Sequence, residues 1–292
     1  MMKRDQSDVQ IENLLRLHRD FLSIREEERI FLKSYLSAVI TPDMTFDRAT
    51  KLLVNGYKRI KAASSGSCAT QAATLCQALA ELFPQTSTLA KCFSSALRIH
   101  RSDLHFKISF WSANPLSLNA LERFSPLFHS ITPIATESFS ETCERIVNGA
   151  SDFGILPIEN TTDGRLSAFY RMLDRYELKI CAVCDIEDAE TDMTTRMALV
   201  TRRLYFCEGP FRRHIEFSYV TTEADVKLDL IDVAYAMGVS LTNLSSSPLS
   251  YRTNAHVETV RFSLSENNTL PFLIYLHNFC EDINISGFYV QI

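Results

Sequence analysis

No run of apolar residues in this sequence approaches a bilayer crossing, basic charge is not in excess, and the cysteines form no dense framework. Each absence excludes a class. A spanning helix needs about 20 consecutive apolar residues, so a helical membrane protein is not expected. Lys and Arg number 30 against 35 Asp and Glu, and the net charge of −5 with pI ≈ 5.8 argues against a nucleic-acid footprint. The opening residues, Met1-Met2-Lys3-Arg4-Asp5-Gln6, are polar with no apolar segment behind them, so no secretory signal is expected and the chain is read as cytoplasmic. The eight cysteines (Cys68, Cys76, Cys92, Cys143, Cys181, Cys184, Cys207 and Cys280) are scattered, unlike those of a small secreted scaffold, and are read as reduced. One pair, Cys181-Ala182-Val183-Cys184, has metal or redox spacing. It lies in the apolar run Leu178–Ile186, which reads as a strand, where positions three apart face opposite sides and cannot share a metal. No second such pair or spaced histidine completes a ligand set, so neither metal nor cofactor is expected.

What is present is a chain of 292 residues, 46% hydrophobic and 22% charged, enough for two or three domains with cores of their own. From Val9 to about His100 the pattern is helical. Leu14, Leu17, Phe21, Ile24, Phe31 and Tyr35 recur at helical spacing and predict one long amphipathic helix that Thr41-Pro42 ends. Thr45 is the expected N-cap of a second helix to about Ala63; a third runs from Cys68 to about Phe83, and a fourth starts after Pro84. From His105 short β-like runs alternate with helical ones, which predicts parallel strands with crossover helices: strands at Lys107–Trp111, Ile131–Ala135 and Asp152–Pro157, helices at 116–127, 139–148 and 164–175. Strands at Leu178–Ile186 and Arg196–Thr201 follow, and 202–213 reads as a linker. The tail reads strand, helix, strand, strand, helix, strand from 214 to 291, the split βαβ order of a ferredoxin-like domain.

Three strings carry a resemblance. Gly154-Ile155-Leu156-Pro157-Ile158-Glu159-Asn160-Thr161-Thr162-Asp163-Gly164 resembles the strand-to-helix signature of prephenate dehydratases. Ile186-Glu187-Asp188 followed by Thr195-Arg196-Met197-Ala198-Leu199-Val200 is similar to that family's Thr-Arg-Phe strand, and Gly238 to Pro248 resembles a segment of its ACT regulatory domain. The resemblance covers about 105–292 and implies an α+β multidomain chain: an all-α domain (1–103) where bifunctional relatives carry chorismate mutase, a prephenate-dehydratase-type α/β lobe (104–205), and a ferredoxin-like ACT domain (212–292).

The dehydratase reaction needs an acid for the leaving hydroxyl and fixed donors for a dianionic substrate. The resemblance implies Thr195 as the acid, with Glu159, Asn160, Thr161 and Arg196 at the substrate. It places an effector site at Asp225-Val226 and at Ser245-Ser246-Ser247. By their residues alone, Asn160-Thr161 read as a helix N-cap and Glu159 as a surface charge.

The chain departs from the family in several places. Trp111-Ser112-Ala113-Asn114-Pro115-Leu116-Ser117 stands where the family has a glycine-rich loop, and it contains no glycine. Between the strands at Leu178–Ile186 and Arg196–Thr201 the family inserts a second lobe, and here there is only a short connection, so the α/β lobe is single and truncated. Arg16, Arg19, Arg25, Arg29 and Lys33 are available on the first helix, but His18, Tyr35 and Phe46 fall where a mutase needs basic residues, and the charges read as a solvated face.

The expectation is therefore a non-catalytic dehydratase relative, a binding or regulatory homo-oligomer, dimeric by analogy, with a full-length aromatic-pathway enzyme or a small aromatic or cyclic acid as partner. Neither nucleic acid nor membrane is an expected partner. The rivals are an enzyme acting on prephenate (dehydratase or decarboxylase-like), its site completed by another subunit, and an interaction protein recruited elsewhere.

Overall fold

The computed structural model describes residues 16, 23, 26–36, 38–41, 44–63, 68–83, 97–98, 105–188, 192–206, 211–222, 225–248, 255–280 and 282–292. Most of the N-terminal half of the long first helix, and the helix expected after Pro84, lie outside these residues. The helical part contains α1 (26–36), α2 (Phe46–Ala63) and α3 (Ala69–Leu82). Thr45 caps α2, its Oγ1 accepting from the Arg48 amide at 3.4 Å.

The central part runs β2 (His105–Trp111), α4 (Pro115–Phe124), β3 (Ser130–Thr136), α5 (Phe139–Val147), β4 (Phe153–Asn160), β5 (Gly164–Arg165), α6 (Ser167–Arg175), β6 (Lys179–Asp188) and β7 (Met193–Thr201). Capping explains two of its helix starts. Asn114 accepts from the Ser117 amide ahead of Pro115 at the first helical position, and Ser138 accepts from the Glu141 amide at 3.1 Å while the Glu141 carboxylate accepts from the Glu137 amide. The expected linker contains a short strand, β8 (Tyr205–Phe206), paired in parallel with β1 (Leu97–Arg98).

The C-terminal part is β9 (Arg212–Thr221), α7 (Asp225–Ala236), β10 (Ser240–Pro248), β11 (His256–Leu264), α8 (Glu266–Phe279) and β12 (Asn284–Gln291). Its strand order, β10-β11-β9-β12, is the ferredoxin-like split βαβ arrangement.

The central and C-terminal sheets are one. The order β10-β11-β9-β12-β6-β7-β4-β2-β3 is continuous because β12 pairs with β6 in parallel, and β5 adds to β4. The architecture is mixed, with β2 parallel to both β3 and β4, while β4–β7 and β6–β7 are antiparallel. The three strands expected to be parallel, β2, β3 and β4, are so, and the antiparallel pairing enters with β6 and β7. Too few residues separate Asp188 from Met193 for a crossover helix, so the chain can only turn back as a hairpin.

The junction depends on a close backbone approach. A Cβ on Gly287 would lie 2.7 Å from the Ile180 carbonyl oxygen and 2.8 Å from the Ile180 Cβ, so only glycine lets β12 come this near β6. Beyond it, Tyr289 and Val290 enter the cores on opposite faces of the central sheet. One of those cores lies under α4 (Ala120, Leu121 and Phe124), the other under α5 and α6 (Cys143, Ile146, Tyr170 and Leu173).

A bulge between Ile180 and Ala182 overturns the strand-parity reading of the two cysteines. The extra residue shifts the alternation, and Cys181 and Cys184 both enter the α4-side core. The Cys181 thiol donates to the Leu199 carbonyl at 3.1 Å, and burial pushes the Cys184 thiol up to about 12. The pair is packed as small apolar side chains.

Among the described residues, the buried apolar side chains of the helical part join those of the C-terminal unit. Leu53, Ala72, Cys76 and Leu79 belong to one apolar cluster with Phe217, Val233, Phe262, Phe272 and Leu276. The alanines of α3 let it lie directly on α7 and α8, making a second helical layer over that end of the sheet.

Gly287→Ala forces a displacement at the β6–β12 junction and is expected to lower unfolding free energy by about 1–3 kcal/mol in urea. Gly56→Ala, on α2 with nothing within 4 Å of the added methyl, serves as the control and should be neutral or stabilising. Equal effects of the two substitutions would contradict the close-approach account.

Candidate functional site

The residues singled out from sequence converge at the ends of β4 and β7. Asn160 and Thr195 are register partners, as are Glu159 and Arg196, and Thr195 also pairs with Ile186 of β6. The Asn160 carboxamide closes the turn that follows it, accepting from the Thr162 amide at 3.0 Å and donating to Asp163 Oδ2 at 3.0 Å. It is therefore an Asx turn rather than the helix cap suggested by its residue type, and α6 begins later, after Gly164 has turned the chain at φ +67°. Thr161 is tied to Thr194 in both directions: its amide donates to the Thr194 carbonyl at 3.0 Å, and its hydroxyl accepts from the Thr194 amide at 3.2 Å. Thr195 is 3% exposed.

Glu159 is not the surface charge its residue type suggested. It accepts from Arg196 Nη1 at 3.2 Å and from both Nη1 (3.2 Å) and Nη2 of Arg261, a residue of the C-terminal unit. Arg196 holds Asp185 in a bidentate pair, Nε to Oδ1 at 2.8 Å and Nη2 to Oδ2 at 3.0 Å. All three of its guanidinium nitrogens thus face carboxylates.

Arg261 also donates from Nε to Glu216 Oε2 at 2.8 Å and from Nη2 to the Tyr170 hydroxyl at 3.3 Å. Glu216 accepts further from Arg165 Nη2 at 3.2 Å and from the Tyr289 hydroxyl at 3.3 Å. The Arg165 guanidinium lies 3.4 Å over the Tyr170 ring centroid. Burial pushes the Tyr170 and Tyr289 phenols up, which keeps them protonated. Three guanidiniums and three carboxylates make a formally neutral network across the seam between the central and C-terminal parts.

Sequence reasoning missed Arg261, Glu216, Tyr170, Asp185 and Arg165. A signal for two of them was present: Glu216 alternates with the apolar Ile215 and Phe217 on β9, and Arg261 with Val260 and Phe262 on β11. That pattern ordinarily marks the solvent face of an antiparallel sheet. Here the face is covered, leaving Glu216 1% and Arg261 6% exposed.

The proposed effector positions lie at the start of α7 and on β10. Ser245, Ser246 and Ser247 lie on the edge strand β10. Ser245 Oγ accepts from Arg165 at 3.4 Å, and Ser246 Oγ donates to Glu258 at 2.8 Å. Asp225 and Val226 open α7. The cavities found beneath α1–α3 and α8 are lined by none of Glu159, Asn160, Thr161, Thr195 or Arg196. Among the described residues no group of three or more His, Cys, Asp or Glu could hold a metal, and no helix is long and apolar enough to cross a membrane.

The family model for prephenate dehydratase matches residues 117–191, a stretch that contains Glu159, Asn160 and Thr161 and ends before Thr195. No curated protein matches the chain. Among solved structures, prephenate dehydratase from Streptococcus mutans aligns at 18% identity over 64% of this chain and 98% of its own, with a TM-score of 0.49. A protein described as a novel type of quorum quenching acylase aligns at 20% identity over 63% and 94%, also at 0.49. Prephenate dehydratase from Arthrobacter aurescens in complex with L-Phe aligns at 13% identity over 63% and 89%, with the same TM-score.

His214 reports on the seam. It is 6% exposed and stacks on Tyr289 at 5.5 Å between centroids; burial, with Arg261, Arg212 and Arg196 nearby, pushes it down to about 4 from an ordinary 6.5. Between those values the unfolded chain binds a proton that the folded one refuses, so stability falls as pH drops from about 6.5 towards 4. His214→Phe should remove up to about 3 kcal/mol of that loss, measured as urea unfolding at pH 7 and pH 4.5. Parallel pH profiles for the two proteins would contradict burial of a neutral imidazole here.

Proposed function

We propose that this chain is a prephenate dehydratase relative that does not dehydrate prephenate and acts as a binding or regulatory protein connected with phenylalanine biosynthesis. The saturation of Glu159 and Arg196 by partners of the same chain carries this reading. A dianionic substrate needs cationic donors free to turn towards it. Arg196 faces Asp185 and Glu159, and Glu159 faces Arg261. Freeing either residue would strand a charge inside the seam, at a cost of about 3–5 kcal/mol. The hydroxyl and carboxamide beside them are engaged in backbone contacts, and the candidate acid Thr195 is buried. The proposal keeps three parts, 1–103, 104–205 and 212–292, and a homo-oligomeric state.

A second reading, in which another subunit completes a working site, draws on the register pairing of Asn160 with Thr195, which brings two candidate substrate groups to one place.

Prephenate offered to the purified chain is expected to give no phenylpyruvate above the spontaneous background, and Thr195→Ala should change nothing. Phenylpyruvate production that Thr195→Ala abolishes would overturn the proposal, and a specific activity rising with protein concentration would favour the shared site.

A further inference from the structure

We propose that the cavity enclosed by α2, β9, α7 and α8 binds a small uncharged aromatic molecule. The cavity has a volume of about 380 Å³, within the range of pockets that enclose small ligands. Its walls are aromatic and aliphatic: Tyr57 from α2, Phe217 and Tyr219 from β9, Leu230 from α7, and Tyr275 and Phe279 from α8. Tyr57 meets Phe279 edge-on at 4.9 Å between centroids and Tyr275 stacks on Phe279 at 5.4 Å, an arrangement that a further ring extends. None of Ser245, Ser246 or Ser247 lines it.

The rim selects against charge. Lys61 Nζ lies 2.9 Å from Asp229 Oδ2, with both side chains about half exposed, so the two charges at the mouth satisfy each other. An anionic ligand would have to turn Lys61 from Asp229 and then sit beside the freed carboxylate. A cationic ligand meets the mirror-image problem with Lys61. An uncharged ring leaves the pair closed over it. Inside, the buried phenols of Tyr57, Tyr219 and Tyr275 stay protonated because burial raises each of them, and a phenol can donate to or accept from a single polar group on the ligand. The site includes Tyr57 and Lys61 of the helical part, so a ligand here would bridge the helical layer to the C-terminal unit. It does not depend on whether the chain dehydrates prephenate.

The test is calorimetric titration of the full chain with indole and phenol, alongside benzoate, benzylamine and phenylalanine as anionic, cationic and zwitterionic comparators. Indole or phenol should bind at least about 10-fold more tightly than each charged comparator. Lys61→Ala should narrow the margin over benzylamine, because Asp229 is then left to meet a cation. Leu230→Phe or Ile283→Phe, in whichever variant keeps the parent unfolding midpoint, should abolish binding by filling the space. In protein labelled with fluorotyrosine, indole should move the Tyr57 and Tyr275 fluorine resonances and leave those of Tyr170 and Tyr289 in place. The proposal is wrong if neither neutral probe binds, if a charged or zwitterionic comparator binds more tightly, or if indole leaves the Tyr57 and Tyr275 resonances unmoved.

Discussion

A guanidinium that is 6% exposed has to be surrounded by acceptors, because an unpaired charge in such a place costs several kcal/mol. Arg261 meets that requirement with Glu216 of its own unit and Glu159 of the central sheet, so its demand for anions binds two parts of the chain together. Glu159 in turn draws in Arg196, Arg196 draws in Asp185, and Glu216 draws in Arg165 and Tyr289. Glu159 and Arg196 are thereby enlisted in joining the ferredoxin-like unit to the lobe. This engagement is what the proposal of a chain without dehydratase activity rests on.

The backbone supports the same arrangement independently. β12 runs from the ferredoxin-like unit into the lobe, Gly287 permits its approach to β6, and Tyr289 reaches back to Glu216 from the far side of that junction. On the opposite face of the C-terminal sheet the interactions are apolar, with α7 and α8 covered in their turn by α2 and α3. The C-terminal unit is thus held by an ionic seam on one face and a hydrocarbon core on the other. Other apolar side chains of the helices, among them Phe31, Tyr35 and Leu52, remain exposed. A ligand in the cavity beneath α2 would act on the hydrocarbon side and reach the ionic side only through the strands between them.

Local chemistry is what the sequence exposes. The starts of α2, α4 and α5 follow from Thr45, Asn114 and Ser138, whose side chains satisfy helix-end amides whatever the tertiary context. The ferredoxin-like order was also legible, because its strand and helix periods change at clear turns, and the meeting of Asn160 with Thr195 followed from the family strings. Long-range events were not legible. Nothing near Gly287 announces that its missing side chain faces a strand a hundred residues earlier. The bulge at Cys181 reverses a parity that holds for every unbulged strand. Glu216 and Arg261 alternate with apolar residues as solvent-facing charges do, and only the cover supplied by Glu159, Arg165 and Tyr170 turns that face into an interior.

The most direct test of the central claim is a double-mutant cycle on Arg261→Met and Glu159→Gln, measured by urea unfolding at neutral pH. If the buried pair joins the two parts, each single variant is strongly destabilised and the double recovers much of the loss, giving a coupling of about 2–3 kcal/mol. Additivity within about 0.5 kcal/mol would mean that the two residues do not depend on one another, leaving Glu159 free for a substrate after all.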